Sequence, residues 1–226
     1  MHSSLSSMGR VVGGSETVIS GLLQALGGPG TLLMPALTYA SVHQEQTYFD
    51  REATPGCIGT IAETFRTRAG TLRSGSPTHS VCATGPLAAQ IVADHHLDTT
   101  PVGPHSPLRK LRDLGGQLLF LGCGLRPNTS MHGVEELVEP PYLFGGDITY
   151  TLQLGGERLV VTCRRHAFAG WVQHYERVAS LLGDDGLETG PVLDAEAHLL
   201  EAATLWERAE AALRKDPFTF VSRARQ

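Results

Sequence analysis

Apolar residues recur every three or four positions across residues 16–26, at Val18, Ile19, Leu22, Leu23 and Leu26, which predicts a helix with one buried face. Gly27, Gly28 and Gly30 stop it, and the apolar run 31–35 predicts a short buried strand. Helical spacing returns over 58–67 through Ile61 and Phe65. Residues 80–83 read as a strand, 86–93 and 106–114 as helices, and 117–122 as a strongly apolar strand running into Gly-Cys-Gly. Such alternation predicts an α/β fold, a layered α/β/α sandwich around a central mixed sheet. The period changes after Asp147. Two alternating runs, 148–154 and 158–164, are joined by Gly155-Gly156 and predict a hairpin. A long helix is predicted over 195–215, ended by Asp216-Pro217. No repeat or linker divides the chain, so one domain over 1–226 is expected.

Composition adds mainly exclusions. A chain of 226 residues, 41% hydrophobic, can hide a sizeable core. Its net charge of -5 and the lack of any Lys/Arg run argue against a nucleic-acid partner. Cys57, Cys82, Cys123 and Cys163 form no CxxC pair, which fits free thiols in a reducing compartment. The start is Ser-rich and uncharged, and no apolar run approaches the roughly 18 residues that a membrane span needs. A soluble, cytoplasmic protein is expected, with no membrane partner.

Several chemistries fail for want of residues at fixed spacing. There is no G-x-S-x-G elbow and no GK[ST] loop. Gly122-Cys123-Gly124 follows a strand as a dinucleotide loop would, but Pro127 takes the place of the third glycine. Asp94-His95-His96 resembles a metal phosphoesterase signature, yet Asp50 is the sole earlier aspartate. A solvated helix end is the expectation there.

The chain opens His2-Ser3-Ser4-Leu5-Ser6-Ser7-Met8-Gly9 just before a helix, an arrangement whose backbone N–H groups and helix dipole suit a diphosphate. Further along stand TLLMPALTY, YFD, TPGCIGTIAETFR, RSGSPTHS, SPLRKL, LLFLGCG and NTSMHGVEE, and near the end Cys163-Arg164-Arg165-His166 and Leu213-Arg214-Lys215-Asp216-Pro217. In this order they resemble the aminoglycoside 3-N-acetyltransferase family along essentially the whole chain. The resemblance implies a single acetyltransferase domain that moves an acetyl group from acetyl-coenzyme A to a small-molecule amine, an aminoglycoside antibiotic above all, without a metal. Two departures stand out. Family members begin with a helix and an apolar strand that lead into the HSS loop, so a sheet strand is expected to be missing here. They also carry a histidine where this chain has Ser76.

The implied reaction needs a base, because a protonated amine cannot attack a thioester, and a histidine is suited to take that proton. His132 and Glu135, three apart on a helical turn, share a face, so His132 is expected as base and Glu135 as its orienting partner. Tyr48, Asp50 and Glu136 are the candidates for holding the acceptor. Ser3, Ser4 and Leu5 are expected at the coenzyme diphosphate, with Thr78, His79 and Ser80 near its pantetheine arm. His166 is expected to be a structural hydrogen-bonding group after a strand. Two alternatives stay open: a coenzyme-binding homologue with little turnover, and an acyltransferase for a different amine.

Overall fold

The computed structural model describes residues 1–183 and 186–224. The chain begins with β1 (His2–Ser3), α1 (Gly14–Leu26), β2 (Leu32–Pro35), β3 (Tyr48–Asp50), α2 (Thr60–Thr67), β4 (Leu72–Arg73) and β5 (Val81–Thr84). Next come α3 (Ala88–Val92), α4 (Pro107–Asp113), β6 (Gln117–Leu121), α5 (Ser130–Val138), and the long strands β7 (Phe144–Leu154) and β8 (Glu157–His166). Last are β9 (Trp171–Gln173), α6 (Ala179–Leu182), β10 (Leu187–Val192), β11 (Ala195–Glu201), α7 (Ala202–Lys215) and β12 (Val221–Arg223).

The central sheet is mixed. In the order β1-β6-β11-β10, the first pair is parallel and the others antiparallel. The antiparallel sheet β2-β5-β4 continues it, because the Met1 amine donates to Leu33 O across the seam at 2.7 Å. Period-two alternation shows that both faces of this surface are covered. On one face, Leu33, Val81, Ala83, Leu118 and Phe120 pack with Met131 and Val134 of α5 and with Leu205, Trp206, Ala209 and Leu213 of α7. On the other, Leu32, Met34, Cys82 and Leu121 pack with Ile19 of α1 and with Ile61 and Phe65 of α2. Each large side chain buried this way contributes roughly 1.5–3 kcal/mol. The expected layered sandwich is present.

The first strand, the two-residue β1, pairs with Phe120 and Leu121 of β6. The predicted hairpin is β7-β8, with β3 added in parallel along β7. One prediction fails in part. Residues 195–201 are not the start of the long helix but β11, which pairs with β6 on one side and β10 on the other. The local composition AEAHLLE favours helix, but the ladder to two neighbours satisfies backbone groups that an isolated helical turn could not bury against the sheet. The helix starts at Ala202 and presents Leu205, Trp206, Ala209 and Leu213 to the core.

Helix α1 ends as the glycine run predicts. Gly27 takes φ +66°, a left-handed conformation that costs glycine little, and its N–H closes on Leu23 O and Gln24 O. Among the described residues no helix is long and apolar enough to cross a membrane.

Candidate active site

Helix α5 emerges from the loop after β6 and is buried on most of its circumference, through Ser130, Met131, Gly133, Val134, Glu135 and Glu136. Its start is shaped by Asn128, whose side-chain carbonyl accepts from Ser130 N at 3.1 Å. Ser130 Oγ in turn accepts from the Trp206 indole at 2.7 Å, and Gly133 leaves the space that the Trp206 ring fills. These contacts fix the azimuth of the helix. They aim His132 into a cavity of about 600 Å³ that runs from Ser3 past Leu37, Tyr39, Asn128 and Thr129 to His79, His166, Phe168 and Tyr175.

His132 and Glu135 meet as the three-residue spacing predicts, Nδ1 lying 3.2 Å from Glu135 Oε2. Glu135 has no exposed surface, and its charge is met by further donors: Tyr175 OH to Oε2 at 2.8 Å and Tyr142 OH to Oε1 at 2.9 Å. Burial, and then the neighbouring carboxylate, raise both phenols above their ordinary range, so they remain protonated donors. Tyr175 OH also lies 3.1 Å from His132 Nδ1. Both contacts at Nδ1 leave His132 Nε2 with no partner among the described residues.

Two more imidazoles complete the wall. The His132, His79 and His166 rings are 4.9–5.5 Å apart between centroids. His166, the last residue of β8, bonds through Nε2 to Glu136 Oε1 at 2.8 Å. Its Nδ1 is buried and unpartnered among the described residues. The structural role expected for His166 holds, but its ring also faces the cavity. His79 Nδ1 is held by Thr78 Oγ1 at 2.9 Å, and the Ser76 hydroxyl accepts from the His79 N–H at 3.2 Å. Burial first, and then the other imidazoles, push His79 and His166 well below the ordinary histidine range and keep them neutral.

The remaining expected residues divide. Ser3, Ser4 and Leu5 line a groove of about 570 Å³ with Arg10, Gly14, Gly59 and Thr60, at the N-termini of α1 and α2. Among the described residues neither helix has a side-chain cap on its N-terminal N–H groups, which suits an anion there. Ser80 cannot contact a coenzyme. It is fully buried, donating to Ala36 O at 2.8 Å and accepting from Arg73 Nε at 2.9 Å. Tyr48 and Asp50 do not line the histidine cavity; Asp50 Oδ1 caps a turn through the N–H groups of Glu52 and Ala53. Glu136 is committed inside, accepting from Thr100 Oγ1 at 2.6 Å, Val102 N at 2.8 Å and His166. Burial raises its pKa, and it has no free oxygen face for an ammonium.

Sequence reasoning missed Tyr142 and Asn128, which join the site from a turn and a loop, and Tyr175, which opens a single 3-10 turn over Tyr175–Val178, none of them with a periodic signal. It also missed the ring of His2, which stacks on Phe120 at 5.2 Å and lines the cavity.

Comparisons with known proteins identify the chain's relatives. The family model described as aminoglycoside 3-N-acetyltransferase matches residues 1–214. Aminoglycoside N(3)-acetyltransferase VIII of Streptomyces fradiae is 31% identical over 232 residues, covering 90% of this chain and 80% of that protein. Aminoglycoside N(3)-acetyltransferase VII of Streptomyces paromomycinus is 34% identical over 175 residues, 70% of this chain but 60% of that protein's length. Among solved structures, a mutant of the aminoglycoside acetyltransferase AAC(3)-IVa in complex with a gentamicin superposes with a TM-score of 0.80 at 29% identity, covering 97% of this chain and 82% of that one. A binary complex of AAC-IIIb with CoASH superposes with a TM-score of 0.82 at 26% identity, covering 95% and 88%. With the motif order, the layered fold and the His132–Glu135 pair all in place, the chain belongs to the aminoglycoside 3-N-acetyltransferase family.

Proposed function

We propose that this chain transfers the acetyl group of acetyl-coenzyme A to an amine of an aminoglycoside, the 3-amino group, with His132 as the base and Glu135 as its orienting partner. One observation carries the reading. The Nδ1 side of His132 is occupied by Glu135 and Tyr175, while the ring lines a cavity continuous with the Ser3 loop. A proton on Nδ1 held by a carboxylate leaves the Nε2 lone pair for the acceptor ammonium. The freed amine attacks the thioester carbonyl directly; as the C–S bond breaks the imidazolium, stabilised by Glu135, returns its proton to the departing thiolate, and the second N–H proton of the adduct is lost to solvent to leave the neutral amide. No cysteine is needed as an acyl carrier: Cys123, in the cavity wall, has its thiol pKa raised by burial.

The coenzyme diphosphate lies in the groove of Ser3, Ser4 and Leu5, where two helix N-termini and Arg10 oppose its charge. The pantetheine arm then runs past Ser3 toward Thr78 and His79. The acceptor enters over Tyr39 and the recess that adjoins His79, where Glu45 supplies a carboxylate. Four free cysteines suit a cytoplasmic enzyme.

A different acceptor amine is the second reading, favoured because none of the residues that line the main cavity is acidic. One assay separates the two. The protein is incubated with acetyl-coenzyme A and a panel of aminoglycosides and simpler amines, and the acetylated product is located by mass spectrometry. The first reading expects an aminoglycoside acetylated at its 3-amino group; turnover confined to other amines selects the second, and no product with any amine rejects both.

A further inference from the structure

The three imidazoles that meet in the cavity are arranged for more than proton transfer. One ring nitrogen from each of His79, His132 and His166 lies within 4.8 Å of those of the other two. Each ring is also gripped from behind: His132 by Glu135, His166 by Glu136, and His79 by the Thr78 hydroxyl. The nitrogens without a protein partner among the described residues are therefore His132 Nε2, His79 Nε2 and His166 Nδ1, the last of them buried. A metal-bound histidine is ordinarily held in this way, with its second N–H donated to a carboxylate or another oxygen that fixes ring and tautomer.

We propose that His79, His132 and His166 form a tridentate site for a divalent ion of the Zn²⁺ class, and that the bound ion inhibits acetyl transfer by occupying the lone pair of the catalytic base. Imidazole nitrogen is the preferred donor for Zn²⁺ and its later first-row neighbours, while Mg²⁺ and Ca²⁺ prefer oxygen. Bonds of about 2.0–2.1 Å in a tetrahedron set ligand nitrogens roughly 3.3 Å apart. The observed spread is closed by modest ring rotation, which the broad χ2 well of histidine permits. The carboxylates of Glu135 and Glu136 stand directly behind two of the ligands and offset the dication's charge, though Arg109 lies 4.0 Å from Glu136 on its far side. The fourth position opens into the cavity, where water or the acceptor amine completes the shell.

The inhibitory consequence rests on His132 being the base; the binding does not. A nitrogen that coordinates the ion cannot take a proton from the acceptor, so metal occupancy and turnover exclude each other.

The test uses the full chain, stripped with chelator and dialysed. ZnCl₂ is titrated by calorimetry without substrates, and Co²⁺ serves as a spectroscopic probe. One ion per chain is expected, with the intense visible bands of tetrahedral Co²⁺. His166→Gln and His79→Asn should each weaken Zn²⁺ binding by more than about 100-fold, the upper end of what loss of an outer-shell partner costs. Circular dichroism melting confirms that each variant is folded; should His166→Gln fail to fold, His79→Asn decides. Absence of stoichiometric binding, or unchanged affinity in folded His79→Asn, overturns the site. In a second arm the acetylated amine is quantified directly, because the released coenzyme thiol itself binds Zn²⁺. Product formation should fall in step with occupancy and return on adding chelator. Saturating Zn²⁺ with undiminished turnover overturns the claim that ion and base share a nitrogen. The binding arm stands whatever amine the protein acetylates.

Discussion

Glu135→Gln is the sharpest perturbation of the proposed pair, because it keeps the shape and removes the charge. In the parent the carboxylate accepts from Tyr142 OH at 2.9 Å and Tyr175 OH at 2.8 Å, and faces His132 Nδ1 at 3.2 Å. Glutamine has one carbonyl oxygen and one NH₂. Whichever way the amide is turned, one tyrosine hydroxyl loses its acceptor, and the side chain no longer stabilises an imidazolium. Turned with NH₂ toward His132, it donates to Nδ1 and drives the ring proton to Nε2, where it blocks the acceptor. The expected loss is about 10²–10⁴-fold in kcat, or about 3–5 kcal/mol of transition-state stabilisation. The stability cost of the orphaned hydroxyl is about 1–3 kcal/mol. Steady-state product formation reads the first and thermal melting the second. The KM for acetyl-coenzyme A should hold, because the Ser3–Leu5 groove makes no contact with Glu135. Near-parental kcat in a folded Glu135→Gln protein would refute the orienting role.

Three further outcomes follow from buried groups. In Gly133→Ala the added methyl meets the Trp206 ring and Val102 Cγ1, so the protein should lose about 1–3 kcal/mol on denaturant titration; an unchanged midpoint would contradict the tight α5–α7 approach. Ser80→Ala leaves Arg73 Nε unpaired and removes one of the two donors to Ala36 O, the other being Arg73 Nη2 at 3.0 Å, and should destabilise by about 1–3 kcal/mol with no change in coenzyme KM; a raised KM with stability intact would restore Ser80 to the cofactor site. His95, bonded to Ser74 Oγ at 2.9 Å and Pro101 O at 3.2 Å, is lowered to about 3, chiefly by burial. The unfolded chain therefore binds the extra proton between about pH 6.5 and 3, and stability falls with acid across that window by up to about 1.4 kcal/mol per pH unit. His95→Gln should flatten the acid limb of a stability-versus-pH curve by that slope, and an unchanged slope would mean that His95 is protonated in the folded protein.

Much of this architecture was legible in the chain. The α1, β2, β5 and β6 segments carry strong periodicity or continuous apolar runs, and each forms within a residue or two of its expected place. The misread segment, 195–201, is one where local preference for helix was overruled by pairing with β6 and β10, contacts that no local window contains. The same limit explains the site. His132 and Glu135 were readable because they share one helical turn. Tyr175 and the free face of His166 reach the cavity, and Tyr142 reaches Glu135 behind it, from separate elements, and their convergence is a tertiary fact. Asp50 and Glu136 were plausible acceptor contacts by charge alone, yet one caps a turn and the other is locked to Thr100, Val102 and His166. The Asp94-His95-His96 run was expected to be solvated, whereas His95 lies in the interior at 2% exposure. Charge in a sequence does not reveal which partners have already claimed it.

That the imidazole of His132 takes the acceptor's proton is tested most directly by the kinetics of His132→Ala with acetyl-coenzyme A and an aminoglycoside that the parent acetylates. A kcat lower by about 10²–10⁴-fold, with coenzyme binding retained, is expected. A folded His132→Ala protein that turns over at nearly the parental rate would contradict the assignment of the base.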